Sequence, residues 1–220
     1  MVKKKAKTII KKEEIKEKTK EKFLYVYGTI DKGSFDLEIR GLRDKPIKKI
    51  DFQDIAVLVS DYPVLHPAVE EKEAMLHAEI LNKLAKKVTI IPLAFGTVFK
   101  DQEILENVLA KCHHAAKAAL KLIEGKIELG VKVLKKELDE PDGLAKEILE
   151  PLSKIAVKTV PGDKFSDRLL LNNSFLVEKK KFSQFSAQVG ELEEKYPELK
   201  FLYTGPWPPY SFINIKIAGG

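Results

Sequence analysis

At 220 residues and 44% hydrophobic content, the chain can build one large domain or two of about 100 residues each. No run approaches the roughly 18 to 20 apolar residues of a membrane-spanning helix, and no apolar stretch follows the N-terminal lysines as a secretory leader requires, so residence in the cytosol is expected. The lone Cys112 excludes an internal disulfide and a Cys-rich zinc site, and the net charge of +6 comes entirely from residues 1–22, where ten lysines face four acids, leaving a body of 29 basic and 29 acidic residues without an evident nucleic-acid footprint.

Residues 1–22 are too polar to bury much surface and read as a Lys-rich flexible arm, either solubilising or a docking element. Folded structure is expected from Phe23. The stretch FLYVYGTI (23–30) is aromatic and β-branched, the DKGS turn signal follows, and FDLEI (35–39) alternates, which together predict a β-hairpin. IAVLVS (55–60) is nearly continuous in apolar residues, as in a strand covered on both faces.

From Val69 to Lys86 the pattern turns helical, with Val69, Leu76, Ile80, Leu81 and Leu84 on one side and His77 inside that stripe. TIIPLAF (89–95) predicts a buried strand, and Asp101 is placed to cap a long helix carrying Leu105, Leu109, Cys112, Ala116, Ala119 and Ile123 inward. Gly125 stops that helix and marks the expected boundary between an N-terminal domain, 23–125, and a C-terminal domain, 126–220.

The second half predicts a strand at 126–134 and a helix with Leu144, Ile148, Leu152 and Ile155 inward, which Pro151 is expected to kink or end early. A short strand near 156–160, a PGDK turn and a long strand at 168–178 come next. A regular helix bearing Phe182, Phe185, Val189, Leu192 and Tyr196 then precedes a closing strand, KFLYTG. The fold class expected is α+β in two domains, the C-terminal one a modified ferredoxin-like βαββαβ sandwich with two helices on one face of an antiparallel sheet. The PWPPYSFINIKI segment lies beyond that minimal unit.

Nucleotide-binding glycine loops, a metalloprotease H-E-x-x-H pair and a G-x-S-x-G nucleophile elbow are all missing from the sequence. Cys112, His113 and His114 are consecutive on a helix, about 100° apart, and cannot easily converge on one ion, so neither a metal nor a cofactor is expected. His77 has Glu73 one turn and Glu70 two turns before it; a hydrogen-bonded acid–imidazole pair there is the one enzyme-like arrangement, with a satisfied structural pair as the blander alternative. Ferredoxin-like connectivity also occurs in RNA-recognition modules, but of the strand aromatics these use only Phe175 is present, so nucleic-acid binding reduces to weak phosphate affinity of the arm.

TGPWPPYSF (204–212) combines three prolines with Trp207, Tyr210 and Phe212, so its aromatics project from a stiff backbone at fixed offsets. Two uses fit equally rigid aromatics: a partner interface, or an internal strap that seals a sheet.

YTGPWPPYSF resembles the C-terminal signature of the GvpF/GvpL family of gas vesicle accessory proteins, and four further segments resemble the family in register: FLYVYGTI, IIPLAFGTVF (90–99), IELGVKV and LLNNSFLV. These span residues 23–217, with Ala94 standing where many relatives carry a basic residue. The resemblance implies a non-enzymatic, cytoplasmic protein of gas vesicle assembly, located with the vesicle and binding the small hydrophobic shell protein or other accessory proteins. The candidate contacts are Trp207, Pro208, Pro209, Tyr210 and Phe212 in the strap, and Phe95 and Phe99 flanking the FGT turn.

Overall fold

The computed structural model describes residues 22–33, 38–136 and 143–215. The arm expected at 1–22 lies outside the described residues except for Lys22, whose ammonium stands 3.4 Å from Asp61. The chain is a mixed α/β protein with two antiparallel sheets.

The first sheet is assembled from β1 (Phe23–Asp31), β2 (Lys48–Phe52), β3 (Ile55–Tyr62), β4 (Ile90–Pro92) and β5 (Val98–Phe99), in the order β2-β3-β1-β4 with β5 also on β1. Helix α1 (Glu71–Lys87) covers one face and α2 (Gln102–Ile123) the other. This double cover explains the unbroken apolar runs: along β3, Ala56 and Leu58 face α1, whereas Ile55, Val57 and Val59 face α2. Asp101 caps α2 as expected, its carboxylate accepting from the Ile104 amide at 2.9 Å.

Several expectations are corrected here. The hairpin joins β2 to β3 through Gln53 and Asp54, and β1 pairs with β3 rather than with FDLEI. Positions 35–37 of FDLEI fall outside the described residues, and Glu38 and Ile39 are not in a strand. The partner of β1 comes from further along the chain, which the DKGS signal does not encode. Val69 precedes α1 and is 85% exposed, and Leu76 points outward; the buried stripe is His77, Ile80, Leu81 and Leu84. TIIPLAF is strand only over β4, because a turn closed by the Thr97 amide on the Ala94 carbonyl lifts residues 93–97 out before β5 rejoins the same edge of β1.

The second sheet is β6 (Lys126–Lys135), β7 (Lys158–Pro161), β8 (Leu169–Glu178) and β9 (Leu199–Trp207), ordered β7-β8-β6-β9 and antiparallel throughout. Helices α3 (Leu144–Ile155) and α4 (Phe182–Lys195) share one core with this sheet, built from Leu129, Val131, Val133, Phe175 and Val177. Phe175 and Phe185 meet at its centre with ring centroids 5.1 Å apart, and full burial of such side chains contributes about 1.5–3 kcal/mol each. Pro151 does not end α3, which continues a full turn to Ile155 and keeps its inward face of Leu144, Ile148, Leu152 and Ile155. The closing strand also differs: β9 runs on to Trp207, so TGPW is sheet rather than appendage.

Candidate functional site

The strap begins inside β9. Trp207 pairs with Glu128 of β6 across an irregularity that Gly205 permits: at φ +110, with the Glu128 carbonyl where a Cβ would go, no other residue fits without strain. Pro208 and Pro209 are buried where the C-terminal end of α1 meets the start of β6. A single 3-10 turn, Tyr210–Phe212, then crosses to the sheet face opposite α3 and α4.

That turn is held by Glu128, which is only 8% exposed. Its carboxylate accepts from the Ser211 amide at 2.8 Å and from the Ser211 hydroxyl at 2.6 Å, and Ser174 Oγ lies 3.1 Å from Ser211 Oγ. Burial pushes the Tyr210 phenol up to about 12, with the Glu128 charge adding to the effect. Ile213 and Ile215 then pack against the α2 face of the first sheet. The strap thus touches both sheets.

Two concavities adjoin it. One is a groove of about 480 Å³ lined by Trp207, Pro206, Pro208, Ile127, Phe182, Lys179 and α1 residues Asn82, Ala85 and Lys86. The other, about 260 Å³, lies between α2 and the first sheet, where Tyr210, Ile213 and Ile215 face Val26, Phe99 and Cys112.

The strap candidates therefore separate by environment. Pro208, Pro209 and Phe212 are buried, whereas Trp207 and Tyr210 stay 43% and 42% exposed. Phe95 and Phe99 are half-buried and sit on opposite faces of the first sheet, Phe95 against Tyr25 and His77, Phe99 against the α2 core. The structure brings Trp207 and Tyr210 onto one segment but does not gather all seven residues.

A family profile described as gas vesicle synthesis protein GvpL/GvpF matches residues 23–144 and 138–214. The chain belongs to that family. It is 32% identical over 201 residues to gas vesicle protein F1 of Halobacterium salinarum, covering 89% of this chain and 94% of that protein. It is 33% identical over 202 residues to gas vesicle protein F of Haloferax mediterranei, covering 89% and 95%. The crystal structure of GvpF from Anabaena sp. PCC7120 shares the fold with a TM-score of 0.78 at 19% identity, over 89% of this chain and 97% of that one. Membership gives the chain a gas vesicle-related role within a structural and accessory family. No helix among the described residues is long and apolar enough to cross a membrane.

In this GvpL/GvpF protein the acid–imidazole pair, one of the two alternatives at His77, is not formed. Glu73 turns away to take the Tyr62 hydroxyl at 2.7 Å and Arg43 Nε at 2.8 Å, and Glu70 is exposed at the start of α1. His77 is buried, donates from Nε2 to the Leu93 carbonyl at 3.0 Å and accepts at Nδ1 from the Tyr25 hydroxyl at 2.8 Å. Tyr25 accepts in turn from the Gly96 amide, so both ring nitrogens are satisfied in the neutral form, and burial pushes the imidazole below its ordinary range. The network fastens the FGT turn to α1, which is a structural task.

His113 pairs with Asp54 at 2.5 Å and His114 is exposed, while Cys112 is buried with its thiol pushed up by desolvation. No cluster of three His, Cys, Asp or Glu side chains suited to a metal occurs among the described residues. Sequence reasoning missed Glu128 and Ser211, the pair that fixes the strap. Alternation in IELGV puts Glu128 opposite Leu129, but nothing local indicates a hydroxyl and amide arriving from 83 positions away.

Proposed function

We propose that this chain is a non-enzymatic accessory protein of gas vesicle assembly, associated with the vesicle, that binds the small hydrophobic shell protein or other vesicle accessory proteins through the strap and its neighbouring groove. The observation that carries this reading is the division of the strap: the prolines and Phe212 are buried, yet Trp207 and Tyr210 remain 43% and 42% exposed on a backbone fixed at both ends. A pre-ordered aromatic beside an apolar groove loses little entropy on binding and covers surface that would otherwise aggregate.

We further read residues 23–125 and 126–220 as two domains, the second ferredoxin-like. Support comes from the separate cores and from the β-α-β-β-α-β order of the second half with its strand order β7-β8-β6-β9. Phe95 and Phe99 are secondary contact candidates. The test is capture of purified shell protein: Trp207→Ala should keep the parent melting temperature within a few degrees and lose most of the captured shell protein. Unchanged capture would make the strap purely structural.

A further inference from the structure

We infer that the groove beside Trp207 takes a partner segment that is both apolar and acidic, its apolar side chains flanked by carboxylates. This deepens the reading of the strap as a contact site and rests on it. The floor and walls are apolar: Ile127, Phe182, Ala85, Pro206, Pro208 and one side of Trp207. Its volume of about 480 Å³ is that of a site for several apolar side chains.

The charge around it has one sign. Lys86 and Lys179 line the groove, and among the described residues no carboxylate does. Among the described residues neither lysine has a carboxylate within ion-pair distance; Lys179 Nζ reaches only the Ala85 carbonyl, at 3.5 Å. Lys179, Lys180 and Lys181 form the 3-10 turn that leads into α4, and Glu178 offsets only the latter two, each at 3.6 Å. Helix α4 adds to the field, since its first turn holds no acid and its N-cap, Lys181, makes no side-chain capping bond.

Lysines at the positive end of a helix raise one another's energy, and a helix start ordinarily carries acids instead. The arrangement costs stability unless an anion arrives. A body whose 29 basic and 29 acidic residues cancel has no general excess to explain this local one. The concave shape between α1, α4 and the strap suits an inserted peptide rather than a flat anionic membrane, which calls for protruding apolar side chains.

Trp207 is the sole tryptophan, so its emission reports the groove directly. The probes are a short helical peptide of leucine, alanine and glutamate, a peptide of equal length with lysine for glutamate, and phosphatidylserine vesicles. The glutamate peptide should shift the emission saturably to shorter wavelength, bind about tenfold or more tighter than the lysine peptide, and weaken as salt rises. The Lys86→Glu/Lys179→Glu variant, checked for folding by circular dichroism, should reverse the preference.

Equal binding of both peptides, an unchanged preference in the double variant, or a shift produced by the vesicles and not the peptide overturns the inference. If purified shell protein shifts the emission but the glutamate peptide does not, the acidic requirement fails while the contact site stands. If neither shifts it, both readings fail.

Discussion

Glu128→Ala should loosen the strap without dissolving the core. The carboxylate makes two hydrogen bonds to Ser211, at 2.8 and 2.6 Å, and bonds to a charged group contribute about 1.5–3 kcal/mol each. Against this gross 3–6 kcal/mol stands the cost of holding a carboxylate at 8% exposure, several kcal/mol before its partners compensate it. Ser211 is itself exposed, so water replaces part of what its amide and hydroxyl lose. The net destabilisation should be about 2 kcal/mol, a fall in melting temperature of about 4–8 °C for a chain of this size. Urea unfolding gives the free energy, and Trp207 emission should move to longer wavelength in the folded variant as the strap frees it.

The serine isolates the pair. Ser211→Ala keeps the amide bond and loses the hydroxyl, so it should cost about 1 kcal/mol, and the double variant should fall short of the sum by a coupling of about 1 kcal/mol. A Glu128→Ala protein within 0.5 kcal/mol of the parent, or strict additivity in the cycle, would refute the clamp.

Two other substitutions probe the first sheet. His77 has its imidazole depressed below the ordinary 6.5 by burial, so above that pH the folded and unfolded forms are both neutral, and below it the unfolded form alone gains a proton. Stability contributed by this residue is therefore full above about pH 6.5 and is lost as the pH falls toward the folded value; His77→Phe should be less stable by about 1–3 kcal/mol at neutral pH and show a flatter decline on acidification in urea midpoints. Gly28 lies where β1 shifts register, and a Cβ there would enter the Ile91 carbonyl and the Ile90 side chain; Gly28→Ala should cost about 3 kcal/mol or more, read as a drop in melting temperature with lower soluble yield.

How much was readable in the sequence depends on the range of the interaction that decides each feature. Helix α4 was legible because Phe182, Phe185, Val189 and Leu192 repeat at helical spacing and the core obeys it. The Asp101 cap was legible because its bond spans three residues. The DKGS hairpin failed because strand partners are chosen by the whole sheet, and β1 takes β3, which begins 24 positions beyond its end. Val69 failed because apolar periodicity does not say where a helix begins.

At the candidate site the same limit applies. Stiffness and aromatic content of TGPWPPYSF were visible, but which of Trp207, Tyr210 and Phe212 would face outward was not. That choice is made by Glu128 and by the two prolines wedged at the junction of α1 and β6. The pairing of Glu73 with Arg43 and Tyr62 instead of His77 has a similar origin, since a loop residue 30 positions away outcompetes a neighbour one turn along the helix.

The path of the strap sets a timetable for biosynthesis. Ile213 and Ile215 complete the α2 face of a sheet whose strands left the ribosome more than a hundred residues earlier, and Ser211 closes over a sheet finished just before them. A nascent chain can collapse its first core early, but the seam joining the two sheets waits for these final side chains to emerge. A premature stop between Pro208 and Ser211 would release a product with both sheets formed and the seam open, a species that a protease can tell from the finished protein.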